Sequence, residues 1–342
     1  MNPKVSVVIL NFNGKKHLQQ FLPFVVQSDY DKLQIVVIDN ASTDGSVAFL
    51  VDNYAQNIEI ICLKQNFGYA EGYNQGLKHV ESDYYILLNS DVEVPKNWIR
   101  PMLNFMDENP AMAACQPKIL AFDRKNRFEY AGASGGMIDF LGYPFCRGRI
   151  FDHIEQDLGQ YDDKTSVFWA SGACLLLKSD VFWSVGAFDG DYFAHMEEID
   201  LCWRLQLAGF LVGICPQVAV FHVGGGTLDY NNPRKTYLNF RNSLFTLQKN
   251  LILWQAILFI AIRLCFDYVS ILKFLATGQF KISKAIVKAH LSFLKHQPQT
   301  IEKRSKVQNK KSIFMLRGVY KKSIVLSSFL LKKYFFSMLT FK

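Results

Sequence analysis

The stretch YYILLNSDVEV, residues 84–94, joins an apolar run to a polar segment that ends in a single carboxylate. Its consecutive aliphatic residues at 86–88 do not alternate with polar ones, which predicts a strand covered on both faces, as in a parallel sheet. The triplet Asn-Ser-Asp at 89–91 follows directly. Because ligands of open α/β sheets bind beyond the carboxyl ends of the strands, we expect Asp91 to lie at a ligand-binding edge.

Three apolar runs precede this stretch, and segments of helical character separate them. They are VSVVIL at 5–10, LQIVVID at 33–39 and IEIICL at 58–63. Strands that alternate with helices at this spacing predict βαβ units, so the first half is expected to be a doubly wound, mostly parallel α/β sheet. Asn11 and Asp39 end two of the runs, and we expect both at the same edge as Asp91. No G-x-G-x-x-G or P-loop lysine accompanies them, which argues against NAD or ATP bound in the usual way.

The second half of the chain has a less regular pattern. GASGGMIDFLGYPF at 132–145 is glycine-rich and predicts a flexible hairpin or loop. EEIDLCWRLQLAG at 197–209 predicts an amphipathic helix with Leu201 and Leu205 on one apolar stripe. LVGICPQVAVFH at 211–222 predicts one or two short strands, and the chain then becomes helical and basic.

The formal charge of +8 is divided unevenly along the chain. Residues 1–240 carry 19 Lys and Arg against 28 Asp and Glu, whereas residues 241–342 carry 19 against two. An acidic body with a basic tail predicts two functional regions, and the tail is expected to bind an anionic partner.

The composition of the tail favours an anionic membrane surface over nucleic acid, because LILWQAILFIAIRLCFDYVSILKFLA at 251–276 is aliphatic and aromatic. Arg263 and Asp267 argue against a clean transmembrane span and for a helix in the membrane interface. The alternative is a buried helical subdomain. The seven scattered cysteines form no C-x-x-C, and a strand begins near residue 5 with no leader before it. Both features predict a reduced, cytosolic protein. The tail would then bring it to the cytoplasmic face of the cytoplasmic membrane, where it would be peripheral or embedded in the interface.

Asp91 is a candidate ligand for a hard cation. Mg²⁺ and Mn²⁺ prefer oxygen ligands and often bind through one or two carboxylates together with substrate phosphates. The alternative is that Asp91 caps the turn before Pro95.

Two further groups could carry chemistry. Glu197 and Glu198 open a predicted helix, where acids complement the helix dipole, but a carboxylate facing a cleft could instead be a general base. His222 ends an apolar run before three glycines at 224–226. It could be a core residue, or a neutral imidazole suited to Mn²⁺.

Six motifs follow one another along the chain. They are VVILNFNG, IVVIDNASTDGS, NFGYAEGYNQG, ILLNSDVEV, WASGACLLLKSDVF and EEIDLCWRLQLAGF. In this order they resemble the family 2 glycosyltransferases of GT-A fold, and the rhamnosyltransferase-like branch most of all. The resemblance covers about residues 3–240.

The resemblance implies roles for individual residues. Asp91 and His222 would hold Mg²⁺ or Mn²⁺ on the donor diphosphate, and Glu198 would be the catalytic base, with Glu197 as the alternative. The family motif D-x-D corresponds here to Asn89-Ser90-Asp91, which has no acid at its first position. The resemblance therefore does not extend to a contact between an acidic side chain and the ribose. Asp39 would bond the nucleobase, and the whole nucleotide-sugar site would be formed by Asn11, Asp39, Asn66, Ser90, Trp169, Gly172 and Ala173.

The implied activity is inverting transfer of a hexose from a nucleoside diphosphate sugar, such as dTDP-rhamnose or a UDP-sugar. The implied acceptor is a hydroxyl of a glycan or polyprenyl-linked glycan in cell-surface polysaccharide synthesis. Residues 1–240 would be the catalytic domain, with a Rossmann-like nucleotide-binding half at 1–95 and an acceptor half at 96–240. Residues 241–342 would be the membrane-associating region, and nucleic acid is not an expected partner.

Two other functions compete with this one. A sugar-phosphate nucleotidyltransferase would need a basic, glycine-rich loop after the first strand, where this chain reads NFNGKKHLQQ. A non-catalytic scaffold of the same fold would be expected to lose its acids, yet Asp39, Asp91 and Glu198 are all present.

Overall fold

The computed structural model describes residues 2–224, 232–307 and 310–341. The alternation of strands and helices predicted for the first ninety residues is confirmed. The strands are β1 Val5–Asn11, β2 Leu33–Asp39, β3 Glu59–Cys62, β4 Tyr84–Leu88, β5 Val92–Glu93, β6 Met112–Ala121, β7 Gly136–Asp139, β8 Pro144–Cys146, β9 Arg149–Ile150, β10 His153–Ile154, β11 Thr165–Val167, β12 Cys174–Lys178, β13 Leu211–His222 and β14 Val319–Tyr320.

Helices cover both faces of the sheet and make up most of the C-terminal region. The helices are α1 Lys15–Val26, α2 Ser46–Tyr54, α3 Gly68–Leu77, α4 Ile99–Asp107, α5 Ser179–Ser184, α6 Glu197–Leu207, α7 Pro233–Asn250, α8 Leu253–Ala276, α9 Phe280–Lys295 and α10 Gln297–Val307. Short helical turns occur at Gly190–Tyr192, Ile313–Met315, Leu326–Leu330 and Phe336–Met338.

The main sheet is mixed, which corrects the expectation of a mostly parallel one. Its order is β11-β13-β6-β12-β4-β1-β2-β3, with β5 paired to β13. The first four strands run parallel as predicted, but β12 is antiparallel to both β4 and β6. The chain enters β12 from the carboxyl edge, where Asn89 N donates to Ala173 O at 3.0 Å, so this strand must run in the opposite direction.

A second sheet of order β10-β9-β8-β7-β14 holds the glycine-rich segment 132–145. The predicted hairpin is present as β7 and β8, but it is not the flexible loop we expected, since β7 is buried along its whole length. Close packing explains Gly136, because a Cβ there would lie 2.1 Å from the indole of Trp169. The C-terminal strand β14 closes this sheet by pairing in parallel with β7.

Helix α6 is buried on nearly all sides and is therefore not the amphipathic helix we predicted. Leu201 and Leu205 lie in the core as expected. The other face is covered as well, because α7 packs against it and Asp200 pairs there with Arg204 at 2.9 Å. Strand β13 is one continuous strand of 12 residues with a bulge, where we expected one or two short ones.

The C-terminal helices pack on the body of the protein. Buried Asp200 accepts hydrogen bonds from Lys249 at 2.9 Å and from Asn250 at 2.7 Å. Arg263 and Asp267 form a buried ion pair of 3.0 Å, and Arg263 also donates to Leu141 O at 3.2 Å. The boundary at residue 240 stays a prediction, although contacts of this kind make the two regions share one core.

Helix α8 buries three polar side chains among the apolar residues Ala256, Phe259, Ile260 and Ile271, and leaves a second apolar face exposed. Gln255, Arg263 and Asp267 lie on its buried face. Its exposed face forms an apolar stripe of Leu253, Trp254, Ile257, Leu258, Tyr268, Val269, Leu272 and Leu275. Among the described helices, none combines the length and the apolar character that crossing a membrane requires. An exposed apolar stripe of this size marks an interaction surface.

Candidate active site

The strand ends predicted to meet do meet at one edge of the main sheet. Asn11 pairs in register with Asp39, and Asn11 Nδ2 donates to Asp39 Oδ1 at 3.0 Å. Ile9 pairs with Leu88, so the chain beyond β4 brings Ser90 level with Asn11. The parallel register of β1, β2 and β4 thus assembles a polar rim from three distant segments.

The rim contains an acceptor that the protein leaves unused. Asn11 Oδ1 is buried and has no hydrogen-bond partner among the described residues. A Cβ on Gly14 would lie 2.5 Å from this oxygen and 3.4 Å from Ser90 Oγ, so glycine keeps the space open. Asp39 is also buried and accepts from the backbone N–H of Ser42 at 2.9 Å. These groups can receive hydrogen bonds from a nucleoside, although the roles of Asn11, Asp39 and Ser90 stay predictions.

Asn66 links two sides of the rim. Its Oδ1 accepts from Gly68 N at 2.8 Å and from Asn40 Nδ2 at 3.1 Å. Asn40 Oδ1 in turn accepts from Phe67 N at 3.0 Å. Sequence reasoning missed Asn40, whose only signal was its place beside Asp39 in the motif IVVIDNAS.

Asp91 lies against His222, as expected if they share one function. Asp91 Oδ1 is 3.1 Å from His222 Nε2, and His222 Nδ1 is 3.3 Å from Glu129 Oε2. Pairing of β5 with β13 brings them together, because His222 is opposite Val92. Burial lowers the pKa of His222, but hydrogen bonds and charges from the two carboxylates outweigh it and raise the pKa to about 10. Two of the glycines that follow, Gly225 and Gly226, lie outside the described residues.

The residues around Asp91 fit a divalent cation that arrives with a diphosphate. Within residues 2–224, 232–307 and 310–341 no group of three or more His, Cys, Asp or Glu could hold a metal alone. Mg²⁺ and Mn²⁺ commonly take only one or two protein ligands when phosphates supply the others. Asp91 offers one, and His222 would offer a second only when the cation displaces the proton that its raised pKa retains. Glu129 on the far nitrogen would orient the imidazole, as carboxylates do behind ligating histidines.

The acidic pair Glu197 and Glu198 begins α6 after an unusual backbone segment. Phe193, His195 and Met196 have φ angles of 64°, 68° and 73°, in the left-handed region that non-glycine residues rarely adopt. Such a conformation persists only where its surroundings enforce it. The local sequence therefore does not explain where α6 begins.

A buried asparagine of the C-terminal region enforces this conformation. Asn242 Nδ2 donates to the carbonyl oxygens of Tyr192, Ala194 and His195 at 3.0, 3.0 and 2.8 Å. Asn242 is fully buried in α7. Nothing in the sequence signals this contact, because 47 or more positions separate the partners.

Glu198 is the carboxylate better placed to act as a base. Glu197 is 5% exposed, whereas Glu198 is partly exposed. In each, one buried carboxylate oxygen has no partner in the described part of the chain. Burial raises the pKa of Glu198 to about 7, and burial together with the charge of Glu198 raises the pKa of Glu197 well above its usual range. A carboxyl group with a pKa near 7 is suited to accept a proton at neutral pH.

The segment 169–173 connects the acidic pair to the rim. Tyr69 OH donates to Gly172 O at 2.8 Å, and a Cβ on Gly172 would lie 2.6 Å from that hydroxyl. Burial raises the pKa of Tyr69, and the charges of Glu197 and Glu198 raise it further.

Ala173 and Trp169 differ in their surroundings. Ala173 O accepts from Asn89 N, next to the rim. The Trp169 indole is buried, and its N–H donates to Met137 O at 2.9 Å in the second sheet. The donor-sugar roles of these residues stay predictions.

Comparison with known proteins shows the family to which this chain belongs. The profile of glycosyl transferase family 2 matches residues 6–186. N-acetylglucosaminyl-diphospho-decaprenol L-rhamnosyltransferase of Mycobacterium tuberculosis is 28% identical over 240 residues, which are 65% of this chain and 76% of that protein. The dTDP-rhamnosyl transferase RfbF of Shigella flexneri is 24% identical over 264 residues, 73% of this chain and 82% of the relative.

A solved structure shares the fold. The structure of GalNAc-T7 with UDP, GalNAc and Mn²⁺ has a TM-score of 0.56 at 15% identity. The match covers 72% of this chain and 48% of that chain. The mixed α/β sheet of this protein is therefore of the GT-A type.

Proposed function

Because the chain belongs to glycosyl transferase family 2, we propose that it transfers a sugar from a nucleoside diphosphate sugar to a glycan or lipid-linked glycan in cell-surface polysaccharide synthesis. The observation that carries the proposal is the sheet edge that holds Asn11, Asp39 and Asp91. The partly exposed Glu198 at the start of α6 completes it, and its charge acts on Tyr69, which bonds the backbone beside that edge. The names of the mycobacterial and Shigella relatives support rhamnose as the sugar and dTDP-rhamnose as the donor.

The proposed reaction is a single displacement with inversion at the anomeric carbon. The acceptor hydroxyl oxygen attacks this carbon while its proton passes to a carboxylate oxygen of Glu198. A new glycosidic C–O bond forms, the C–O bond to the diphosphate breaks, and the nucleoside diphosphate leaves with the bonding electrons. Asn11 and Asp39 hold the nucleoside, and Asp91 and His222 would hold Mg²⁺ or Mn²⁺. Such a cation supplies positive charge for the leaving diphosphate.

A panel of sugar nucleotides tests this function. The full-length protein is incubated with Mn²⁺ or Mg²⁺, a lipid-linked or soluble glycan acceptor, and dTDP-rhamnose or a UDP-sugar. We expect acceptor-dependent release of nucleoside diphosphate and a glycosylated product by mass spectrometry. Release of inorganic diphosphate from a nucleoside triphosphate and a sugar phosphate would instead indicate a nucleotidyltransferase. Failure to bind any sugar nucleotide would contradict the proposal.

We also propose that the protein acts on an anionic membrane surface, at the cytoplasmic face. Residues 241–342 carry 17 more basic than acidic residues. The apolar stripe of α8 is exposed, and on the next helix Lys281, Lys284, Lys288 and Lys295 are exposed beside Leu291 and Leu294. A surface that mixes lysines with large apolar side chains is typical of helices that lie in the membrane interface.

Liposome flotation tests the membrane proposal. We expect the full chain to float with anionic vesicles and less with neutral ones, because each basic residue near the surface contributes about 1 kcal/mol. Binding should weaken with salt without disappearing, since salt screens only the electrostatic part. The double change Trp254→Glu and Ile257→Glu should reduce flotation, because both side chains are more than half exposed on the stripe.

The matched control is Val51→Glu, an exposed apolar position of α2 in the acidic body. This change should leave flotation unaltered. Truncation near residue 245 is not a suitable test, because it removes Lys249 and Asn250 from buried Asp200. A full chain that floats with neither kind of vesicle would show that the stripe has another partner.

A further inference from the structure

Arg149, at the start of β9, is a buried guanidinium that forms no ion pair with a described residue, although the charge of Glu129 acts on it from further away. Arg149 as a whole is 6% exposed to solvent. Its contacts are the Cys146 sulfur at 3.6 Å and the ring of Tyr130, whose centroid is 4.0 Å from the guanidinium carbon. Arg149 Nε has no hydrogen-bond partner in the part of the chain that the structure describes.

The other buried arginines of the described residues differ from Arg149. Each lies within ion-pair distance of a carboxylate: Arg147 with Asp163, Arg204 with Asp200 at 2.9 Å, and Arg263 with Asp267 at 3.0 Å. No carboxylate of the described residues lies within 4.0 Å of the Arg149 nitrogens. A guanidinium stays charged at any ordinary pH, and an isolated buried charge is costly. Glu129 acts on this guanidinium only from a distance, so we expect a ligand to supply a directly paired negative charge.

The position of Arg149 connects it to the active site. Its partner Tyr130 follows Glu129, whose carboxylate lies 3.3 Å from His222. Lys235 contributes a second cation, with its ammonium 5.9 Å from the centroid of the same tyrosine ring.

The Cys146 thiol lies 3.6 Å from the Arg149 guanidinium. Burial raises the pKa of this thiol, Arg149 lowers it, and the charges of Glu129 and Glu198 raise it further. Carboxylates of the candidate site and the Arg149 guanidinium therefore act on the same thiol.

We propose that Arg149, assisted by Lys235, binds phosphate oxygens of a substrate diphosphate. The inference rests on the proposed function, because the donor carries a diphosphate and a lipid-linked acceptor carries a second one. A guanidinium offers two parallel N–H donors that match the spacing of phosphate oxygens, and such charge-assisted pairs are strong. The ligand would supply the directly paired counter-charge that none of the described residues gives Arg149.

Binding and melting measurements on the full chain test the proposal without turnover. The probes are UDP and dTDP with Mn²⁺, for the donor, and farnesyl diphosphate, for a prenyl-linked acceptor. Arg149→Gln should weaken binding of at least one probe class by about tenfold or more, the usual effect of losing a hydrogen bond to a charged group. Arg149→Lys keeps the positive charge but loses the two parallel N–H donors, and should give an intermediate affinity.

The melting temperature separates a binding role from a structural one. Arg149→Gln should raise the melting temperature of the ligand-free protein, because it removes an uncompensated buried charge. The matched control Arg147→Gln removes a neighbouring buried arginine that is already paired with Asp163. It should lower the melting temperature and leave the affinities unchanged.

Each outcome decides the question. Selective loss of UDP and dTDP binding assigns Arg149 to the donor, and selective loss of farnesyl diphosphate binding assigns it to the acceptor. Unchanged affinities for every probe, or an Arg149→Gln variant that unfolds, would overturn the inference while the proposed function stands. A wild-type protein that binds none of the probes would overturn both.

Discussion

Replacing Glu198 by Gln is expected to lower kcat by about 10²–10⁴-fold while donor affinity stays near that of the wild type. Glutamine has the same shape but cannot take the proton of the acceptor hydroxyl. The carboxylate oxygen of Glu198 that lacks a partner among the described residues is the group that would receive this proton. Steady-state kinetics and donor binding by calorimetry measure the two quantities separately.

The pH dependence should identify the same residue. Burial raises the pKa of Glu198 to about 7, and only the deprotonated carboxylate can act as a base, so kcat of the wild type should rise with pH through about 7. Because the folded pKa lies above the usual value, the stabilising contribution of this group is present below the unfolded pKa and is lost as pH rises through the folded one. Glu198→Gln should therefore melt at a higher temperature than the wild type at about pH 8 and lose this advantage in acid.

Glu197→Gln is the matched control for Glu198→Gln. Glu197 is adjacent, is also buried and has a pKa raised in the same direction. We expect a milder loss of activity, with the pH dependence retained. If Glu197→Gln instead shows the larger loss and Glu198→Gln keeps most of the activity, Glu197 is the base.

Replacing Asp91 by Asn is expected to reduce kcat/KM on the order of a thousandfold, because a bound cation supplies several kcal/mol of charge stabilisation. Asp91 is the carboxylate beside His222 Nε2, at 3.1 Å, and asparagine offers the cation no negative charge. Metal-dependent donor binding should fall together with turnover, and titration of the donor with and without Mn²⁺ measures this loss.

The matched control for Asp91 is Glu93→Gln. Glu93 lies two residues further along the same segment, and its carboxylate pairs with Lys125 at 2.5 Å, away from His222. This variant should keep its metal response. Full activity of Asp91→Asn with Mg²⁺ or Mn²⁺ would show that Asp91 does not hold the cation.

Local patterns in the sequence were sufficient to predict the strands of the first ninety residues. Continuous Val, Ile and Leu runs identified β1 to β4, and the polar residue that follows each run located Asn11, Asp39 and Asp91 at one edge. Both inferences need only neighbouring residues, because buried parallel strands are apolar throughout and their carboxyl ends share one side of the sheet. The order of six motifs then indicated the family that the match over residues 6–186 shows.

Only the tertiary structure placed the residues that surround these groups. Glu129 behind His222, and Asn242 behind the left-handed segment, make contacts across 93 and 47 positions of the chain. No periodicity or turn signal encodes such pairs, because each partner looks ordinary in its local sequence. The missing counter-charge of Arg149 is likewise invisible until its neighbours are known.

The mixed sheet and the buried face of helix α8 also divide into a part that the sequence predicts and a part that only the tertiary structure decides. The sequence by itself determined that residues 251–276 are apolar enough, and numerous enough, for a long helix. It also located Arg263 and Asp267 within that stretch. It could not determine which face is buried, because apolar residues occur on both faces of the helix. The tertiary structure buries the apolar face that also holds Arg263 and Asp267. Arg263 pairs there with Asp267 and donates to Leu141 O, and paired charges tolerate burial that unpaired ones do not.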